Sequence, residues 1–198
     1  MYPEFVEIDG QMYKINTDYR VALACFKAIN DDDLSDISRA YAVITILFGH
    51  ENPQTGEIDD VPDNANEALK MADKYLKCGN TKTSVENQKV DMDFEYDMPY
   101  IMASFMSDYG IDLEKTDMHW WKFCELISGL TEQSILSKVR DLRNTDLSEY
   151  KDPKIRAKLQ KAMKNVELPQ RKYKVTDEDI SFLKDLGIDI EQLERRGQ

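Results

Sequence analysis

The sequence predicts a mainly α protein, a helical bundle of about six to eight helices with a small N-terminal β-hairpin and a C-terminal helical arm. Three observations predict it. Apolar residues recur at three- and four-residue spacing through most of the chain, Asp9-Gly10 separates two short alternating runs, and the charge changes sign near residue 150. The first is the signature of helices with one buried face, the second of a tight hairpin turn, and the third sets off residues 150–198 as a basic arm from a helical domain at 1–149.

Phe5-Val6-Glu7-Ile8 and Met12-Tyr13-Lys14-Ile15 are the alternating runs; a two-stranded ribbon is marginal alone, so it must pack on the helices that follow. Thr17 or Asp18 caps a helix reaching about Ile29, with Val21, Ala24, Cys25 and Ala28 on its stripe. Asp33 or Ser35 opens a second, whose face of Ile37, Ala40, Tyr41, Ile44, Leu47 and Phe48 ends at Gly49. Residues 50–63 read as an exposed loop, residues 64–76 as a third helix closed by Gly79, and residues 80–92 as a polar loop.

Phe94, Met98, Ile101, Met102, Phe105, Met106 and Tyr109 form the next stripe, closed by Gly110. Pro99 allows two arrangements: Asp97 caps and Pro99 lies in the first turn, or the helix starts near Asp93 and kinks. Asp117 is the expected cap of a helix carrying Trp120, Trp121, Phe123, Cys124, Leu126, Ile127 and Leu130, apolar on most sides and so central. Ile135, Leu136, Val139 and Leu142 mark another. From Tyr150 a basic amphipathic helix follows, with Ile155, Leu159, Met163 and Val166 on one side and Pro169 as its stop; Thr176 with Asp179 opens a last short helix, residues 180–186, stopped by Gly187.

An apolar share of 41% beside a charged share of 32% fits a folded chain with a well-solvated surface rather than a disordered one. Residues 1–150 hold 14 Lys and Arg against 29 Asp and Glu, whereas residues 151–198 hold 12 against 9. So acidic a body repels phosphate backbones and favours docking of basic partners. Three widely spaced cysteines suggest no disulfide framework, and the longest apolar run, residues 40–48, is too short to span a bilayer. A cytoplasmic protein without a membrane partner is expected.

Phosphate-cradling glycine loops, nucleophile elbows and His-Glu-x-x-His are absent from the sequence. His50, expected in the exposed loop, and His119, on the tryptophan helix, have no cysteine or second histidine at ligand spacing. No catalytic residue, cofactor or metal is expected. Two features suit binding instead. Met98, Met102 and Met106 recur every four residues, as core filler or as an adaptable apolar surface. Lys154, Lys158 and Lys161 lie on the basic helix, which is open to nucleic acid, an acidic membrane, the acidic body of another copy, favoured by the chain's own composition, or solvent alone.

One string of residues carries a family likeness. Asp91-x-Asp93-Phe94, Asp97, Ile101-x-Ala103-Ser104-Phe105, Tyr109-Gly110-Ile111-Asp112-Leu113, His119-Trp120-Trp121-Lys122-Phe123, Gly129-Leu130, Arg140 and Arg143 together resemble the bacteriophage "gene product fifteen" family of siphophages. The resemblance implies a gene between those of the tail tube and the tape measure, and hence a tail assembly chaperone. Such a protein coats the tape measure protein in the host cytoplasm and is absent from the mature virion. The acidic body and basic arm add the expectation of head-to-tail self-association and of contacts with other tail assembly proteins. The resemblance brings no catalytic residues. The rival readings are a structural virion component, such as a connector or tail-completion protein, and a nucleic-acid-binding regulator.

Overall fold

In the computed structural model, which describes residues 2–79 and 90–169, Asp9 and Gly10 both take positive φ, 51° and 79°. A two-residue type I′ turn requires that pair, and it joins β1 (Phe5–Ile8) to β2 (Gln11–Lys14) in the expected antiparallel hairpin. Ile8 is buried, while Phe5 and Met12 stay exposed. The described residues divide into two compact units, 2–79 and 90–169.

In the first unit, Asp18 caps α1 (Tyr19–Ile29) and Ser35 caps α2 (Asp36–Phe48), each accepting a first-turn backbone N–H. Asn16 ties the hairpin to α2: its N–H donates to the Leu47 carbonyl and its Nδ2 to those of Ile46 and Gly49. Asn64 caps α3 (Ala65–Leu76) and donates back to Asp9 in the hairpin turn. Both α1 and α3 pack on α2.

The buried faces of α1 and α2 differ from those expected. Tyr19, Ala22 and Cys25 face inward on α1, and Ala24 is exposed, because the Tyr19 ring claims the core at the first turn and three-residue steps lead from it to Ala22 and Cys25. On α2, Ile37 and Tyr41 are exposed, and Arg39 and Val43 are buried in their stead. Arg39 is tolerated inside because its guanidinium donates to the Asp31 carbonyl through Nε and Nη2 and to Asp36 through Nη1.

The second helix ends at Gly49 as its stripe predicts, though not in the left-handed region. The glycine's φ is -67°, and a Cβ there would lie 2.5 Å from Ile58 Cγ2 and 2.6 Å from the Thr45 carbonyl. Close approach requires the glycine. Ile58 reaches it from β4 (Ile58–Asp59), which pairs with β3 (His50–Glu51) inside the segment expected to be plain loop. His50 is therefore half-buried in a strand, its Nδ1 2.7 Å from the Phe48 carbonyl and its Nε2 buried without a hydrogen-bond partner among the described residues.

Cys25 sits in this unit's core, where burial pushes its thiol pKa up to about 12. Only the thiolate is nucleophilic. Alkylation of the native protein with iodoacetamide at pH 8, read by mass spectrometry, should leave Cys25 unmodified until denaturant is added; modification at a rate matching Cys124 would contradict this burial.

The second unit contains α4 (Met98–Tyr109), α5 (Trp120–Ser128), α6 (Ile135–Asn144), a 3-10 turn (Leu147–Glu149) and α7 (Pro153–Asn165). Asp97 stands at the N-cap of α4 with Pro99 in the first turn, the unkinked alternative. Gly110 closes α4 in the left-handed region at φ 66°, as its spacing predicts. His119, not Asp117, caps α5: its Nδ1 accepts the Trp121 N–H at 3.1 Å. One face of α5 is buried, through Trp120, Phe123 and Ile127, while Trp121, Cys124 and Leu126 are half-buried, so the helix lies on the core rather than through its centre.

Around Phe123 an aromatic cluster forms. Its ring stacks on Phe105 at 5.2 Å and on Trp120 at 5.6 Å, and Phe94 meets Trp120 edge-on at 5.4 Å. Ser104 joins α4 to α6 by accepting the Leu136 N–H. Residues 90–169 group by compactness, so the change of composition at 150 falls within a unit, and α7 packs on α6. The expected loop at 80–92 lies outside the described residues up to position 89, as does the whole of the expected helix at 180–186.

Candidate partner-binding surface

Asp152 starts α7 by accepting the Lys154 N–H at 2.8 Å, with Pro153 at the first helical position. Lys154, Lys158 and Lys161 follow at helical spacing on one exposed stripe. Leu159, Met163 and Val166 lie on another side, half-buried, with Ile155 still 48% exposed. The helix carries five basic residues and no acidic one, and none of its residues is buried. An amphipathic helix covered this little leaves its apolar side available. Between α7, the 3-10 turn and α6 runs an open groove of about 670 Å³, lined by Leu147, Met163 and Leu168 with Lys161 and Lys164 beside them.

Arg143 on α6 ties down the C-terminal end of α7, while Arg156 on α7 donates to the Tyr150 carbonyl at the other end. The Arg143 guanidinium forks onto Asp97, Nη1 to Oδ2 at 2.7 Å and Nη2 to Oδ1 at 2.6 Å. Nη1 also donates to the Asp91 carbonyl at 2.8 Å, and Nε to the Val166 carbonyl at 2.5 Å, just past the end of α7. Asp97 is 0% exposed and Arg143 4%. The hydrogen bonds to Asp97, and that carboxylate's charge, raise the arginine's already high pKa, against the opposing effect of burial. Beside this pair, Arg140 and Asn144 both donate to the Asp91 carboxylate, and Asp93 accepts the Glu95 and Tyr96 N–H groups while its own N–H donates to Asp97. The Asp97 carboxylate therefore serves Arg143 instead of capping α4.

Met98 and Met102 are half-buried beside the Ile101 and Phe105 face of α4, and Met106 is 49% exposed. Steps of four residues overshoot a helical turn by roughly 40° each, so the third methionine has left the core face. Of the three, Met106 is the most exposed. Asp108, two residues on, accepts the Thr131 N–H and hydroxyl at 2.8 and 2.9 Å, which hold its carboxyl below the usual carboxylate range.

Among the described residues, no group of three or more His, Cys, Asp or Glu side chains could hold a metal ion. None of their helices is long and apolar enough to cross a membrane.

The residues that carried the family likeness now have structural roles. Asp91, Asp97, Arg140 and Arg143 form the ion pairs, and Asp93 joins them by donating its N–H to Asp97. His119 is the cap of α5, Trp120 and Phe123 its buried face, and Tyr109 donates to the Leu126 carbonyl close against Gly129, where a Cβ would come within 3.0 Å of its hydroxyl. No curated protein and no solved structure matches the chain. A family model described as "Bacteriophage Gp15 protein" matches residues 2–168, from the hairpin through the end of α7. A match over that much of the sequence decides the matter, and the chain belongs to the bacteriophage Gp15 protein family.

Proposed function

We propose that this phage protein is a tail assembly chaperone that binds the tape measure protein in the host cytoplasm, acts by binding rather than by catalysis, and leaves before the virion is complete. The observation that carries the reading is α7, which lies within the family match yet buries none of its residues. A thirteen-residue amphipathic helix beside an open apolar groove is suited to receive an apolar helical segment. A tape measure is a long helix that exposes such segments until tube subunits enclose it.

Co-expression with the tape measure protein of the same phage tests this. The tape measure should move from the pellet to the soluble fraction and co-purify, and substitution of Met163 and Leu168 by Asp in the groove should return most of it to the pellet. Equal insolubility with and without this protein would overturn the reading. A stoichiometric band in purified virions would replace it with that of a structural component.

A further inference from the structure

We propose that the lysine stripe of α7 docks on the acidic β3–β4 ribbon of a second copy, so that copies join head to tail. Lys154, Lys158 and Lys161 are exposed, and none of their ammonium groups has an ion-pair or hydrogen-bond partner among the described residues. Lys154 and Lys161 are roughly 10 Å apart along the axis, at about 1.5 Å per residue. Beside them Ile155 is 48% exposed. The surface is thus a row of cations edged by an aliphatic side chain.

The first unit presents the complement. Glu57, Asp59, Asp60 and Asp63 lie within seven residues, all exposed, with Ile58 among them at 51%. The ribbon is held in shape by the β3–β4 pairing, by the Asn52 N–H on the Glu57 carbonyl and by Asn52 Nδ2 on Asp59. The other acidic run, residues 31–36, suits the role less well. The Asp31 carbonyl and the Asp36 carboxylate are taken by Arg39, and the Asp31 carboxylate by the Asp33 N–H.

Each copy carries both surfaces, and they are different surfaces. Joined head to tail, the contact is heterologous and propagates into a ring or an open chain. Because the charges are exposed, salt opposes the contact: the screening length falls from about 10 Å at 0.1 M to about 3 Å at 1 M. The inference rests on the binding reading above only in placing the protein's action at its surfaces, and it does not require the tape measure.

Charge reversal in the full chain tests it by sedimentation velocity. One variant carries Lys154→Glu, Lys158→Glu and Lys161→Glu; the other carries Glu57→Lys and Asp63→Lys, leaving the structural Asp59 intact. The wild-type protein should grow in mass with concentration at 50 mM salt and return to monomer at 1 M. Either variant alone should associate at least tenfold more weakly. Mixing the two should restore association, since each then meets an opposite charge on the other. A wild-type protein that stays monomeric at low salt, or a mixture no larger than its components, overturns the proposal. Soluble recovery of co-expressed tape measure is scored separately, so the chaperone reading stands or falls on its own.

Discussion

Replacing Arg143 by alanine should lower the free energy of unfolding by about 3–5 kcal/mol, the cost of leaving one charge of a buried pair without its partner. Urea denaturation followed by circular dichroism measures it, as a fall in midpoint at an unchanged slope. The size follows from the geometry. Asp97 is fully buried, and Arg143 supplies both bonds of the fork. The same substitution also releases the carbonyls of Asp91 and Val166. Arg143→Lys should recover little, because one ammonium cannot reproduce a planar fork with donors to three acceptors.

Arg140→Ala is the internal control. Its ion pair with Asp91 is 40% and 24% exposed at the two side chains, and exposed pairs are worth about 0–1 kcal/mol. Replacing both buried partners together, Asp97→Leu with Arg143→Met, should restore most of the stability, since no charge is then stranded. A loss below about 1 kcal/mol for Arg143→Ala would mean that water reaches Asp97. Losing the Val166 bond should also speed amide exchange in α7 beyond that in α4, which ties the stability of this network to the helix proposed to meet partners.

Local signals are legible in the sequence, and distant ones are not. The Asp9-Gly10 turn, the caps at Asp18 and Ser35, and the close of α4 at Gly110 each depend on a few neighbouring residues. Which face of α1 or α2 is inside depends on what packs there. Arg39 looks like a surface residue by composition and is buried because the Asp31 carbonyl, eight residues back, receives it. Likewise His119 displaces Asp117 as a cap because its ring nitrogen, at the position just before the helix, aligns with the Trp121 N–H. The Asp97–Arg143 pair spans 46 residues, beyond any helical period. Its members were visible only as unexplained members of a family string. For the candidate surface, the stripe of Lys154, Lys158 and Lys161 was legible from spacing, while the groove beside it, made by three elements meeting, was not.

Trp120→Ala should cost about 3–5 kcal/mol, and Trp121→Ala far less, although the two are adjacent and the sequence alone ranks them equally. Trp120 is 1% exposed. It stacks on Phe123 and takes the edge of Phe94, so truncation both empties a large volume and removes two ring contacts, each worth about 0.5–1.5 kcal/mol beyond the area buried. Trp121 is only half-buried, and water already covers part of its ring. Thermal unfolding of the two variants under one buffer decides between them. Equal losses would mean that α5 buries both sides, as its apolar composition first suggested, and would place Trp121 against a surface absent from the fold described above. Should the Trp121 variant keep its stability yet lose tape measure in co-expression, the exposed half of that ring would join the α7 groove as a contact, since tryptophan is among the residues on which binding energy concentrates.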